Sequence, residues 1–191
     1  SVLPNLTRCP AISIPGKPTK AGLPVGIHFG GSGNPITACG WPSYYIEDHT
    51  AMSQAFEAQL VSIVCEGVFC ELPELRLALV EGGFAWLPGL MWRLDKNYRG
   101  LHSEVPWLKK LPSEYIIEHC CATTQPMEEP ANPQPLMQMI EMIGSDDVLM
   151  FATDYPHWDF DAPDRALPPV IAGELRRKIL VDNAVSFYGF A

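Results

Sequence analysis

Short apolar runs alternate with amphipathic stretches along this chain, and this alternation limits the fold more than any other feature. The strand candidates are continuous hydrophobic runs at residues 23–31, 74–83, 113–126 and 147–154. The helix candidates repeat their apolar residues every three or four positions and lie at 47–69, 86–95, 135–144 and 173–190. Continuous apolar strands separated by helices predict a parallel sheet that is covered on both faces. We therefore predict an α/β fold.

Polar residues follow the predicted strands at His28, at Glu81, within 118–124 and at Asp154. In a (βα)8 barrel of the TIM type, the carboxyl ends of all strands meet at one mouth, where catalytic groups gather. An open doubly wound sheet instead places its site at one crevice, usually beside a glycine-rich phosphate loop. Residues 26–35, GIHFGGSGNP, lack the GxGxxG spacing of such a loop. The barrel is therefore the favoured architecture.

Composition excludes several classes of protein. The 191 residues are 47% hydrophobic, which suits one globular domain over 1–191, and the net charge of −9 argues against binding to nucleic acid. No apolar run reaches the roughly 18 residues of a membrane span, and residues 1–20 lack a signal-peptide pattern. The six cysteines form no CxxC pair, so we expect mostly buried free thiols and a cytoplasmic location.

The strand-end residues offer ligands for a metal, although each has a simpler explanation. Asp154 follows a buried strand and is close to His157 and Asp159, but an aspartate there is also common as a turn or cap residue. His28 suits a divalent metal, but a single histidine often has only a structural role. A carboxylate at a barrel mouth can bind the metal and accept a proton from water. A catalytic zinc site usually needs three protein ligands.

Several segments together resemble one known family. They are GLPVGIHFGG, FCELPELRLALVEGGFAWLPGLMWRLD, TTQPMEEP, VLMFATDYPHWD and ILVDNAVSFYGF, in that order. The combination closely resembles the amidohydrolase 2 family, the metal-dependent (βα)8 barrels related to aminocarboxymuconate semialdehyde decarboxylase. The resemblance covers about residues 20–191 and implies strands five to eight of the barrel.

The resemblance also implies roles for individual residues. His28 would be a metal ligand on strand five, and Asp154 a metal ligand and proton acceptor on strand eight. Arg93 lies where family members often hold a substrate carboxylate, a task suited to its planar fork, although an ion pair on its own helix is the alternative. Glu81 stands where many family decarboxylases carry a histidine. It would act as a catalytic acid or base, or only as an acceptor for backbone N–H groups.

The family's first strand carries an HxH-type pair that this chain lacks, because its histidines are at 28, 49, 102, 119 and 157. Residues 1–22 read as an irregular segment, at most the remains of strand four and a short crossover. The chain thus appears as an incomplete barrel with unpaired sheet edges, whereas a whole barrel takes about 250 residues. We expect it to belong to a longer protein, to gain strands from a partner subunit or to fold as an open sheet, and we expect a homo-oligomer.

Other aromatic and histidine residues are weaker candidates. Trp86 and His157 are the predicted substrate-binding partners of Arg93, because aromatic side chains can line a pocket for a cyclic substrate, although large aromatics mostly pack in cores. His49 is expected near the mouth and His102 in a solvated loop. His119, at the end of the third predicted strand, is placed either in the core or at the mouth.

These readings lead to three functional hypotheses. The first is a hydrolase that acts on a small organic acid through water activated by a divalent metal, with zinc expected and manganese as the alternative. The second is a nonoxidative decarboxylase that uses the same metal centre. The third is a catalytically incomplete half-barrel that serves as an oligomeric or binding protein.

Overall fold

The computed structural model describes residues 11–13, 23–28 and 40–190. Its described strands form one sheet in which spatial order follows chain order. They are β1 (Ala11–Ser13), β2 (Leu23–His28), β3 (Leu75–Val80), β4 (Cys120–Thr123) and β5 (Leu149–Met150). β2 to β5 run parallel, whereas β1 runs antiparallel to β2.

Helices separate the parallel strands. They are α1 (Tyr45–Thr50), α2 (Met52–Cys65), α3 (Val68–Glu71), α4 (Leu87–Leu101), α5 (Pro112–His119), α6 (Gln134–Ile143), α7 (Gly173–Arg177) and α8 (Asn183–Tyr188). A 3-10 turn (His102–Glu104) follows α4, and a π-helical turn (Lys178–Asp182) joins α7 to α8. This repeat of parallel strand and helix confirms the predicted α/β class and is consistent with part of a barrel.

The main core lies between one face of the sheet and the helices. Leu77 and Leu79 of β3 contribute to it, together with Phe56 and Leu60 of α2 and Ile116 of α5. The opposite face of the sheet has a smaller cluster of Ala78, Cys121, Met150 and Phe187. The two clusters follow the period of two along β3, because successive side chains of a strand point to opposite faces.

The predicted strand over 113–126 is wrong in its first half, which forms α5. Pro112 suits the first turn of a helix, and the Leu111 N–H donates to Glu114 Oε2 at 2.7 Å. Tyr115, Ile116 and His119 are the buried residues after Pro112, and their helical spacing directs them to one side. Only Cys120–Thr123 continues as a strand.

Other predicted elements differ in their bounds. The helix expected over 47–69 is three helices, broken at Ala51 and at Gly67, where φ is 73° and an added Cβ would lie 2.4 Å from the Trp107 ring. The strand expected over 147–154 pairs only at Leu149–Met150. β1 runs antiparallel to β2, whereas neighbouring strands of a barrel are parallel; the expected remains of barrel strand four in 1–22 stay a prediction. The rest of 1–22 lies outside the described residues.

His119 belongs to the core. Its Nδ1 lies 2.9 Å from the Leu75 carbonyl oxygen, and its ring stacks on Phe69 with centroids 4.5 Å apart. Burial lowers the pKa of this imidazole. Because His119 directly precedes β4, it lies at the amino end of the parallel strands, whereas the candidate site lies at their carboxyl ends.

The four described cysteines, Cys65, Cys70, Cys120 and Cys121, are free thiols, whereas Cys9 and Cys39 lie outside the described residues.

The outer edge of β5 is covered by the C-terminal helical segment. Toward β4, the carbonyl of Met150 accepts the N–H of Thr124 at 2.9 Å. On the other edge, the Phe151 N–H donates to the Ile179 carbonyl at 2.9 Å, and Asn183 Nδ2 donates to the Leu149 carbonyl at 2.8 Å. These contacts satisfy backbone groups that an exposed edge strand would leave unpaired.

None of the described helices combines the length and the apolar character needed to cross a membrane.

We expect Asn183→Ala to lower the free energy of unfolding by about 1–3 kcal/mol, because the buried Leu149 carbonyl loses its donor. Urea unfolding of the two proteins measures this difference. Asn97→Ala, on the exposed face of α4, is the matched control and should change the free energy by less than about 0.5 kcal/mol. Equal stability of Asn183→Ala and the unchanged chain would contradict the structural role of this side chain.

Candidate metal centre

Three side chains meet at the carboxyl end of the parallel strands. His28 is the last residue of β2, Glu81 follows β3 directly, and Asp154 lies in the loop after β5. One potential ligand atom from each of these residues lies within 4.8 Å of the other two. The residues are distant in sequence, and the parallel sheet brings them together because its strands end at the same edge.

Unusual backbone conformations accompany both carboxylates. Glu81 has a φ of 66° and Asp154 a φ of 55°, a left-handed region that non-glycine residues rarely adopt. Such a conformation costs on the order of 1–3 kcal/mol and persists where the surrounding structure holds it. The Glu81 N–H donates to Thr123 Oγ1 at 3.1 Å, and the His157 N–H donates to the Asp154 carbonyl at 2.9 Å. These bonds fix the turns that follow β3 and β5.

Glu81 is the most buried member of the cluster, with a relative exposure of 7%. Its Oε2 lies 2.5 Å from His28 Nε2. Burial raises the pKa of Glu81, and the charge of Asp154 and a hydrogen bond with Asp154 raise it further, while His28 and His157 oppose this shift. The cluster therefore holds two carboxylates close together in a site that is partly shielded from water. A cation bound there would favour the ionised forms of both.

His157 extends the cluster toward solvent. Its Nδ1 is hydrogen-bonded to Asp154 Oδ2 at 2.6 Å and lies 3.5 Å from Glu81 Oε1. Its side chain is 54% exposed. The hydrogen bond with Asp154 raises the pKa of His157, and the charges of Asp154 and Glu81 act in the same direction. His157 thus places a titratable imidazole at the solvent side of the cluster.

The donor set fits a divalent metal. One imidazole nitrogen and two carboxylate oxygens are ligand types that zinc and manganese both accept, and three protein ligands leave positions for water or substrate. His28 and Asp154 were the predicted ligands, and the geometry adds Glu81, which sequence analysis had assigned a catalytic role. The metal-binding and catalytic roles of these residues stay predictions.

The structure does not bring the other predicted site residues into the cluster. Arg93 is exposed on α4, and among the described residues no ion pair joins it to a carboxylate, on its own helix or elsewhere. Trp86 is half-buried against the main core, and its indole N–H donates to the Gly82 carbonyl at 2.8 Å. Through this contact with Gly82, Trp86 helps to hold the loop that follows β3. Its predicted role in substrate binding stays a prediction, as does that of Arg93.

A pocket of about 200 Å³ adjoins Glu81, and Glu128 and Ser53 are among its lining residues that sequence analysis did not assign to the site. Glu128 accepts hydrogen bonds from the N–H groups of Phe84 and Ala85 at 3.3 and 3.1 Å, and so fixes the loop after β3. Ser53, on α2, also lines the pocket. Their sequence signals were weak, since a serine inside a helix and an acidic pair in a loop are both common in soluble proteins.

A family model described as amidohydrolase (Amidohydro_2) matches residues 18–190. The chain belongs to this amidohydrolase family. The resemblance seen in the sequence is thereby confirmed. No match was found among curated proteins.

Solved structures of several decarboxylases are similar to this amidohydrolase chain and support its fold. A 5-carboxyvanillate decarboxylase from Sphingomonas paucimobilis is 24% identical, with a TM-score of 0.54, and the match covers 73% of this chain and 41% of that one. A dihydroxybenzoic acid decarboxylase from Polaromonas, solved with bound manganese, is 24% identical, with a TM-score of 0.56 and coverages of 78% and 42%. A 2,6-dihydroxybenzoate decarboxylase from Rhizobium is 25% identical, with a TM-score of 0.56 and coverages of 78% and 44%. The amidohydrolase chain thus spans less than half the length of these structures.

We expect Glu81→Gln to weaken Mn²⁺ binding by about 10-fold or more, because the amide removes a negative charge from the cluster. Isothermal titration with Mn²⁺ measures the affinity. Because the pKa of Glu81 is raised, protons compete with the metal at a higher pH than at an ordinary glutamate, so the affinity should fall as the pH is lowered. Glu141→Gln, on the exposed face of α6, should leave the affinity unchanged. Equal affinities of Glu81→Gln and the unchanged chain would exclude Glu81 as a ligand.

Proposed function

We propose that this chain carries the metal-binding strand ends of a nonoxidative decarboxylase that acts on a small aromatic acid. The observation that carries this proposal is the meeting of His28, Glu81 and Asp154 at the carboxyl edge of the sheet. The decarboxylases of similar structure, one of them solved with manganese, support the choice of reaction. Manganese and zinc are both candidates for the ion.

A divalent cation held by His28, Glu81 and Asp154 would supply positive charge that orients the acid substrate and stabilises negative charge on its oxygens. The protein's contribution is to bring a nitrogen and two oxygens together and to limit their contact with water. The burial of Glu81 serves that purpose. Hydrolysis, the first hypothesis from the sequence, would use the same three side chains, and Asp154 would then accept the proton of a water molecule.

Decarboxylation breaks the bond between the ring carbon and the carboxylate, and the electron pair stays on the ring carbon until a proton is added. Carbon dioxide leaves. We assign the proton to His157, because its side chain is exposed at the mouth and its hydrogen bond with Asp154 raises the pKa of the imidazole, which favours the protonated form. Nδ1 is engaged with Asp154, so Nε2 is the ring atom that can pass a proton to a substrate. Asp154 holds the imidazole in place for this transfer.

A pocket of about 200 Å³ adjoins Glu81, and its volume leaves room for part of a small acid substrate. Since the chain spans 41–44% of the length of the similar decarboxylases, this pocket would be one wall of a larger site. Homo-oligomerisation, which the incomplete barrel led us to expect, stays a prediction.

The test is an assay of the purified chain with Mn²⁺ or Zn²⁺ and, in separate reactions, 2,6-dihydroxybenzoate and 5-carboxyvanillate. We expect release of carbon dioxide and of the decarboxylated phenol, measured by chromatography. His157→Gln should lower kcat by about 100-fold or more, whereas His102→Gln, in the exposed 3-10 turn, should not change it.

Two results would redirect the proposal. Turnover of ester or amide substrates of small organic acids without carbon dioxide release would favour the hydrolase. Metal binding with no turnover of either substrate class would favour the catalytically silent half-barrel.

A further inference from the structure

Most side chains of the loop that carries Asp154 and His157 are exposed to solvent. It is closed at its base, where the Asp161 N–H donates to the Thr153 carbonyl at 2.9 Å. Tyr155 and Trp158 near its tip are each 74% exposed. A loop with so few buried contacts has little packing of its own to hold it in one position. Its position over the cluster therefore depends on a few specific contacts.

One set of contacts comes from α1, the first helix described after β2. His49 Nε2 lies 3.3 Å from Asp159 Oδ2, and both side chains are mostly buried. The His49 ring also contacts Trp158, with centroids 5.8 Å apart. Trp158 Nε1 donates to Tyr45 Oη at 3.4 Å. The helix thus contacts two consecutive residues of the loop.

A second contact with Asp159 comes from the segment that follows β4. Gln125, which is 2% exposed, donates from Nε2 to the Asp159 carbonyl at 3.1 Å. Asp159 is therefore held through its main chain by Gln125 and through its carboxylate by His49. It is half-buried between neighbours that are exposed. These contacts make Asp159 the anchor of the loop.

We propose that His49 and Asp159 are positioning residues: together they hold the 154–161 loop so that Asp154 and His157 meet Glu81 and His28. The inference deepens the proposed function and rests on it for the metal. Neither residue belongs to the cluster, since each acts through the loop. The pair joins α1, which follows β2 in the chain, to the loop after β5, and β2 itself ends at the candidate ligand His28.

The first measurement is Mn²⁺ affinity by isothermal titration. His49→Ala and Asp159→Ala should each weaken binding by about 10-fold, the usual size of an effect from a residue that orients a ligand. The double variant should bind no more weakly than either single variant, because both remove the same contact. His49→Gln, which keeps a polar group, should recover part of the affinity. His102→Ala and Asp164→Ala, both exposed, are the controls and should bind as the unchanged chain does.

The second measurement needs no metal. Chymotrypsin can cut after Trp158, and a loop released from α1 should be cut several-fold faster in His49→Ala than in the unchanged chain or in His102→Ala. Circular dichroism confirms that each variant is folded.

The outcomes separate this inference from the proposed function. If the unchanged chain binds no Mn²⁺, the proposed function fails, and the cleavage rate alone decides whether His49 holds the loop. Cleavage at the same rate in His49→Ala and the unchanged chain would overturn the inference. Faster cleavage with unchanged Mn²⁺ affinity would also overturn it, because the loop would then be held without positioning a ligand.

Discussion

Two carboxylates and an imidazole that meet at the end of a parallel sheet are the feature on which the rest of this structure depends. Glu81 and Asp154 carry like charges in a place that is partly shielded from water, and burial together with Asp154 raises the pKa of Glu81. His28 and His157 supply nitrogen atoms on two sides of the pair. Such an arrangement is unfavourable for two anions alone. A cation that binds between them would remove this cost, so the electrostatics and the donor geometry lead to the same conclusion.

The sheet that carries the cluster is part of a barrel. The outer sides of its first and last parallel strands contact different kinds of segment. β5 has its outer backbone groups bonded to Ile179 and Asn183 of the C-terminal segment. At the other side, β1 runs antiparallel to β2, unlike the strands of a (βα)8 barrel. Among the described residues, segments of the chain itself thus contact the outer sides of β2 and β5. The positions of His28, Glu81 and Asp154 follow from the parallel strands between those edges.

Much of this organisation could be predicted from the sequence. Continuous apolar strands predicted the α/β class, and the polar residues that follow them predicted where the site would lie. The first half of the predicted strand over 113–126 was wrong because the run of apolar residues has no strong strand pattern, while Pro112 and Glu114 favour a helix start. Helix breaks at Ala51 and Gly67 depend on packing, such as the contact of Gly67 with Trp107, and that packing is not visible in the order of residues.

The sequence predicted only part of the candidate site, because some of its contacts also depend on packing that is not visible in the order of residues. His28 and Asp154 have distinctive places after apolar strands, whereas the proximity of His157 to both carboxylates depends on the turn at Asp154, whose φ is 55°. The role of Asp159 depends on a contact between segments more than 100 residues apart in sequence. Pairwise contacts of this kind leave no local pattern. Arg93 was named only from the family resemblance, and the described structure shows it exposed on α4, so its role in substrate binding stays a prediction.

The most direct test of the account is anomalous diffraction from crystals of the chain grown with Mn²⁺. The account predicts one manganese peak bonded to His28 Nε2 and to carboxylate oxygens of Glu81 and Asp154, and no peak there in His28→Asn crystals. A manganese peak at other residues, or crystals of the folded chain in which these three side chains bind no ion at saturating Mn²⁺, would contradict it.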